Sequence, residues 1–237
     1  MHGWERVAFI CMIAIVIVLF VYAGLPNLLT RVFHLFVMQR GPRRPQVALT
    51  FDDGPDEDFT PRLLDELQKQ QISATFFVLG EKAVQNPSLV QRMVAEGHDV
   101  QIHGWEHKPV PLMLPGQALR QITGTQRLLY EKFGVKADFY RPTWGLCNFA
   151  TLLRPRGKVH LVTWSVMVGD WRVTPSAELY RRIRRKLHPG AIIVLHDSDK
   201  TAGAERGAPL TVIEVVSKLA ELTRDRGYSF CLLKDWL

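Results

Sequence analysis

The sequence predicts an α/β fold, a (β/α) barrel of about seven strands preceded by one N-terminal transmembrane helix. Three observations carry this reading. From Val47 onward, short β-rich runs alternate with amphipathic helical stretches, the pattern of parallel strands joined by crossover helices. The run from Val7 to Leu25 carries no charged side chain and approaches the roughly 20 apolar residues that cross a bilayer as a helix. The polar residues able to do chemistry fall at the C-terminal ends of the expected strands, where parallel α/β folds build their sites. A length of 237 residues suits one such domain, and 47% hydrophobic with 22% charged residues excludes a disordered or collagen-like chain.

Taken in chain order, residues 1–40 read as a membrane anchor with its juxtamembrane segment. The apolar run is longer than a typical signal-peptide core and its front end is nearly uncharged, so an uncleaved anchor is expected, although Val21-Tyr22-Ala23 leaves a cleavage site open. Gly41-Pro42-Arg43-Arg44-Pro45 reads as a proline-rich linker, and residues 46–237 as the globular domain. Candidate strands are Val47 to Phe51, Ala74 to Leu79, His98 to Ile102, Ala137 to Tyr140, His160 to Ser165, Ala191 to Leu195 and Tyr228 to Leu233. Thr60-Pro61 and Asn86-Pro87 each offer a capping side chain followed by proline at the first helical position. Gly97, Gly134 and Gly227 sit where helices should stop.

The net charge is +7, of which residues 1 to 45 hold +4 (Arg6, Arg31, Arg40, Arg43 and Arg44 against Glu5), leaving +3 for the rest. So small an excess argues against nucleic acid as a partner. The basic cluster Arg181, Arg182, Arg184, Arg185 and Lys186 is threaded by Leu179, Ile183 and Leu187, which makes it the solvated face of an amphipathic helix. Cys11 lies in the apolar run; Cys147 and Cys231 form neither a disulfide framework nor a CxxC pair and read as buried thiols.

Three clusters carry chemistry. Thr50-Phe51-Asp52-Asp53-Gly54-Pro55 ends the first strand, and two adjacent carboxylates ionise together only beside a cation or strong donors. His103-Gly104-Trp105-Glu106-His107 follows the third strand. Its i, i+4 histidines could share a cation with a carboxylate such as Asp53. The same residues fit HxxEH, the inverted zinc-protease motif, but that motif needs a helix where a strand and loop are expected. Tyr140-Arg141-Pro142-Thr143-Trp144-Gly145, then Trp164 to Trp171, and then Ile193-Val194-Leu195-His196-Asp197 complete the set.

In this order the motifs resemble the polysaccharide deacetylases, carbohydrate esterases that share the NodB homology domain, over about residues 46 to 237. The resemblance implies a distorted (β/α) barrel that removes acetyl groups from N- or O-acetylated sugars with one divalent metal ion, zinc foremost, with cobalt, nickel or manganese as alternatives. It makes Asp53, His103 and His107 the metal ligands, Asp52 the general base, Arg141 the residue that orients that base, and His196 the general acid. The backbone N–H near Trp144 would be the oxyanion donor, and Val194 would line the acetyl-methyl pocket. Such a ligand set leaves open positions for water and the substrate carbonyl, and the metal can lower the water's pKa towards about 7. Trp105, Trp164 and Trp171 are expected to pack, whereas Trp144 could meet sugar.

Three departures stand out. Met167 occupies the position, four residues before Trp171, where the family usually carries the aspartate that pairs with the catalytic histidine, while Asp170 matches a different family position. A thioether cannot stabilise imidazolium, so His196 must rely on another group or lose its acid function. Gly104 replaces the usual Ser or Thr between the histidines, removing a loop hydrogen bond. Val194 stands in for the usual leucine. The expectation is a membrane-tethered hydrolase of acetylated peptidoglycan- or chitin-like glycan, with a metal-containing glycan-binding pseudoenzyme as the alternative that Met167 keeps open. Charge counting on Arg31, Arg40, Arg43 and Arg44 favours the domain inside the cell, whereas a wall or surface glycan needs it outside; the weakness of the charge rule for long translocated domains favours outside.

Overall fold

The computed structural model describes residues 3–153 and 159–237. Seven parallel strands, β1 Gln46–Asp52, β2 Thr75–Leu79, β3 Asp99–Gly104, β4 Phe139–Tyr140, β5 His160–Leu161, β6 Ala191–His196 and β7 Ser229–Cys231, run in the order β5-β4-β3-β2-β1-β6, with β7 also on β1. β7 pairs with Gln46 to Ala48 and β2 with Thr50 to Asp52. The sheet curls into a distorted barrel. Beyond β5 the expected long strand breaks: Val162 bridges Met38, which follows the N-terminal helix, and Val166 bridges Ile193 of β6. The backbone N–H of Ser165 and of Val166 both donate to Ile192 O, so a two-residue bridge joins the two ends of the sheet.

Side-chain alternation explains where the site lies. Val47, Leu49 and Phe51 join the helix-covered core with Leu63, Leu64, Leu67 and Val216. Ala48, Phe77, Phe139, Val162, Ile192 and Leu233 pack on one another as a second cluster, the filling of the barrel interior. Because strand residues alternate faces, the parity that puts Ala48 inside puts Thr50 and Asp52 inside above it. Ile192 likewise predicts Val194 and His196, and Phe139 predicts Arg141. The lower barrel is therefore apolar and its C-terminal mouth polar.

Helices Thr60–Gln70, Pro87–Ala95, Pro115–Phe133, Ser176–Lys186 and Ala208–Asp225 cover the outside. The two predicted capping side chains do other work. Thr60 Oγ1 donates to Asp197 Oδ2 (2.6 Å) and accepts from Asp56 N (2.7 Å), and Asn86 Nδ2 donates to Lys82 O (3.2 Å); neither makes a cap bond. Gly97, Gly134 and Gly227 follow helix ends with positive φ, as expected. In the helix Ser176–Lys186, Leu179 and Ile183 are buried and the arginines face outward. Cys147 and Cys231 are buried, Cys11 is exposed, and none of the three forms a disulfide among the described residues.

Gly3–Val32 form one helix that is long and apolar enough to cross a membrane, with π-helical turns at Phe20–Gly24 and Leu28–Val32. Its last third packs on the domain. Tyr22 Oη donates to Met113 O, and Asn27 makes a reciprocal pair with the Cys147 backbone (Nδ2 to O 2.7 Å, N to Oδ1 3.1 Å). The segment that follows is tied down as well: Met38 N donates to Leu161 O (2.8 Å) and Gly41 N to Gly190 O (2.9 Å).

Candidate active site

Asp52 and Asp53 are neighbours in sequence and part company in backbone conformation. Asp52 ends β1 opposite His196 in the β1–β6 ladder. Asp53 adopts a left-handed φ of 77°, a conformation that aspartate tolerates better than most residues. This turn brings both carboxylates to one cavity of about 230 Å³ at the barrel mouth, where regular alternation would have sent them to opposite faces. Gly54 closes the turn against Asp197: a Cβ there would lie 2.3 Å from Asp197 Oδ2, so only glycine fits.

Asp53 Oδ1 lies 3.1 Å from His103 Nε2 and 3.3 Å from His107 Nε2, and the three ligand atoms lie within 4.8 Å of one another. His103 Nδ1 faces Arg141 O at 2.8 Å; a carbonyl can only accept, so Nδ1 carries the proton and Nε2 presents its lone pair. Burial pushes His107 down to about 4, which keeps that imidazole neutral. Burial would raise the Asp53 carboxyl, but the positive charge that His103, His196 and His107 carry when protonated outweighs it and holds the group well below the usual carboxylate range. Asp53 Oδ2 accepts from Thr201 Oγ1 (2.6 Å) and its backbone O from Lys82 Nζ (2.8 Å). Oδ1, although buried, makes no hydrogen bond among the described residues. A buried orphan carboxylate oxygen facing two imidazole nitrogens is a donor set that fits a divalent cation.

Arg141 is fully buried directly after β4. Its Nη1 donates to Asp52 Oδ1 (2.6 Å) and Thr50 Oγ1 (2.7 Å), and its Nη2 to Thr163 O (3.1 Å). The guanidinium lies 4.0 Å over the Phe77 ring, so the Asp52 carboxylate is fixed by a charge-assisted bond whose donor cannot move.

On the opposite wall, Asp170 Oδ2 accepts from both His196 N (2.7 Å) and His196 Nδ1 (3.0 Å). The carboxylate that sequence motifs place at Met167 is thus supplied three residues later, and Met167 itself lines the cavity. Burial alone would lower His196; Asp170, with Asp53 and Asp52, overrides it and pushes the imidazole up to about 10. The ring is a proton donor at neutral pH.

Of the tryptophans, Trp105 packs against Gly80 and Gly124 as expected, but Trp164 and Trp171 line the cavity together with Trp144 and Val194. Trp144, at φ 54°, sets its ring edge-on to His107 at 4.2 Å. The loop bond lost at Gly104 is replaced from the helix Pro115–Phe133: Gln121 Oε1 accepts from Trp105 N (2.8 Å) and Glu106 N (3.0 Å), and Thr125 Oγ1 donates to Gly104 O (2.8 Å). Sequence reasoning missed Thr201, Gln121 and Arg31, which also lines the cavity. Thr201 lies five residues after His196, a proximity that could have flagged it.

Aspartates, histidines and a buried arginine converge at the C-terminal mouth of this α/β barrel, and comparison with known proteins places the domain in a family. The sequence model of the family described as polysaccharide deacetylase matches residues 39–155. The chitooligosaccharide deacetylase of Rhizobium leguminosarum bv. phaseoli is 33% identical over 193 residues, covering 78% of this chain and 84% of that protein. The chain belongs to the polysaccharide deacetylase family. The peptidoglycan-N-acetylglucosamine deacetylase PgdA of Listeria monocytogenes is 32% identical over 80% of this chain, which spans only 38% of that protein's length. The crystal structure of the Bc1960 peptidoglycan N-acetylglucosamine deacetylase superposes with a TM-score of 0.80 at 28% identity, covering 88% of this chain and 95% of that one.

Proposed function

We propose that this protein is a membrane-tethered, metal-dependent N-deacetylase of an acetylated glycan, acting outside the cytoplasm. The observation that carries the reading is the pairing of two differently equipped groups across one cavity: Asp52, held as an acceptor by Arg141, and His196, held protonated by Asp170. Asp53, His103 and His107 would hold the metal, with zinc the best match to two imidazoles and one carboxylate. When bound, it supplies Lewis-acid charge at the acetyl carbonyl and acidifies water.

The chain's own groups then divide the work. Asp52 takes the proton of the attacking water as the C–O bond forms. The Gly145 and Leu146 amides are spent on Pro142 O and Thr143 O, which leaves the Trp144 amide as the turn's donor to the developing oxyanion. His196 gives its proton to the sugar nitrogen as the C–N bond breaks, and acetate and a free amine result. Val194 and the tryptophans provide an apolar wall for the acetyl methyl. The alternative, a metal-containing glycan-binding pseudoenzyme, rests on Met167; Asp170 beside His196 supports the hydrolase reading instead.

Support for an uncleaved anchor comes from Tyr22, whose hydroxyl bonds to Met113 O and accepts from Asn148 Nδ2 (2.9 Å); cleavage after Ala23 would discard these contacts. The test is acetate release from chitooligosaccharides and peptidoglycan by the full chain in detergent with zinc or cobalt. The full chain is required because Arg31 and Met38 belong to the folded domain's contacts. A metal-loaded protein that binds either substrate and releases no acetate from it contradicts the reading.

A further inference from the structure

The end of the N-terminal helix is part of the catalytic cavity. Asn27 and Thr30 fix this end against Cys147, and one residue later Arg31 lines the same cavity as Asp52, His103 and His196. Arg31 is exposed and makes no hydrogen bond or ion pair among the described residues, so its guanidinium is free to take an anion.

Geometry sets its depth relative to a bilayer. The charge-free run ends at Leu25, and six residues of helix rise about 9 Å. The polar headgroup zone on each side of the hydrocarbon is roughly 5–7 Å thick. Arg31 and the cavity rim therefore sit at the outer edge of the headgroups when the helix spans a membrane.

The neighbouring surface agrees. Leu112 and Leu114, 83% and 68% exposed, flank Met113, whose carbonyl receives the Tyr22 hydroxyl. These apolar side chains continue the lipid-facing surface of the helix onto the domain, and a bilayer is the occupant continuous with it.

We propose that the substrate is an N-acetylated sugar carried on a membrane lipid through a phosphate or diphosphate linkage, and that Arg31 binds this linkage and so selects the lipid-borne glycan over polymer in the wall. The proposal rests on the deacetylase reading and on the helix spanning a membrane. A sugar attached at the headgroup plane presents its acetyl group at the height of the cavity, and its linkage carries the negative charge that a guanidinium binds through paired N–H donors. A wall strand, in contrast, would have to approach the bilayer surface.

The experiment uses the full chain in phosphatidylcholine vesicles. Acetate release is compared among N-acetylglucosaminyl-diphosphopolyprenol, the same sugar on an uncharged glycerolipid, chitotetraose and peptidoglycan sacculi. We expect kcat/KM for the diphosphate-linked sugar to exceed that for chitotetraose and sacculi at least tenfold. Arg31→Gln should raise KM for that substrate about tenfold, the scale of one lost charge-assisted contact, with Arg31→Lys recovering much of the loss. The preference over the uncharged glycolipid should shrink by the same factor. Equal turnover of chitotetraose or sacculi, or an unchanged preference in Arg31→Gln, overturns the proposal and leaves deacetylation standing. Acetate from none of the four overturns the deacetylase reading itself.

Discussion

Asp170 Oδ2 receives both the backbone N–H and the ring Nδ1–H of His196, at 2.7 and 3.0 Å, so a single carboxylate oxygen sets the position, tautomer and charge of that imidazole. Removing its charge should cost what loss of an orienting partner of this kind costs, about 10–100-fold. Asp170→Asn is therefore expected to lower kcat by this factor and to weaken activity most at alkaline pH, where the unsupported imidazole has lost its proton. Met167→Asp should give no gain, because the place at His196 is taken. A rise in kcat in the Met167 variant would return the pairing role to that position.

Thr201 donates to Asp53 Oδ2 at 2.6 Å and thereby aims Oδ1 at the two imidazoles. Elemental analysis should find one divalent ion per chain in the wild type and none in a His103→Ala, His107→Ala double variant. Thr201→Val should retain the ion with roughly 10–100-fold weaker affinity, read by competition with a chromophoric chelator.

Asp52→Asn should lose activity by about 10²–10⁴-fold and should also lose stability, because it removes the countercharge of a fully buried guanidinium. Breaking a buried pair from one side costs about 3–5 kcal/mol, somewhat less here because asparagine still accepts a hydrogen bond. Urea unfolding and acetate release on the same preparation separate the two effects. An Asp52→Asn protein as stable and as active as wild type would contradict both roles.

The motifs that hold Asp52 and His196 were legible from sequence, and the alternation of Ala48-Leu49-Thr50-Phe51-Asp52 between barrel interior and helix-covered core explains why the Asp52 side chain reaches the mouth. The short strands were harder. His160 to Ser165 looks like one strand, but only His160–Leu161 pairs with β4, because Val162 turns to meet Met38, a partner about 120 residues away that no local pattern shows. The partner of His196 stayed open for a similar reason: counting back from Trp171 locates a motif position, whereas the irregular backbone after Val166 decides that Asp170 reaches His196. Thr60 and Asn86 look like caps by residue type, yet tertiary acceptors claim their side chains.

His98 provides a pH dependence away from the site. Its Nδ1 accepts from Ala74 N at 3.1 Å, and burial pushes it down from 6.5 to about 4. The unfolded chain takes up a proton near pH 6.5 while the fold refuses it until about pH 4, so the unfolded state binds more protons between these values. Stability is full above the upper value and falls as pH drops through the window, by at most about 3 kcal/mol. His98→Asn, whose Oδ1 can still accept from Ala74, should flatten this part of the profile in urea unfolding measured from pH 7 to pH 4.

The central claim is that Asp53, His103 and His107 hold a metal beside a working base and acid. Its most direct measurement is acetate and free amine released from chitotetraose by the full chain in detergent, before chelation, after chelation and after return of one equivalent of zinc. The account predicts equal amounts of acetate and amine, loss of both on chelation and recovery with zinc. A zinc-loaded protein that binds the oligosaccharide and releases neither would contradict it.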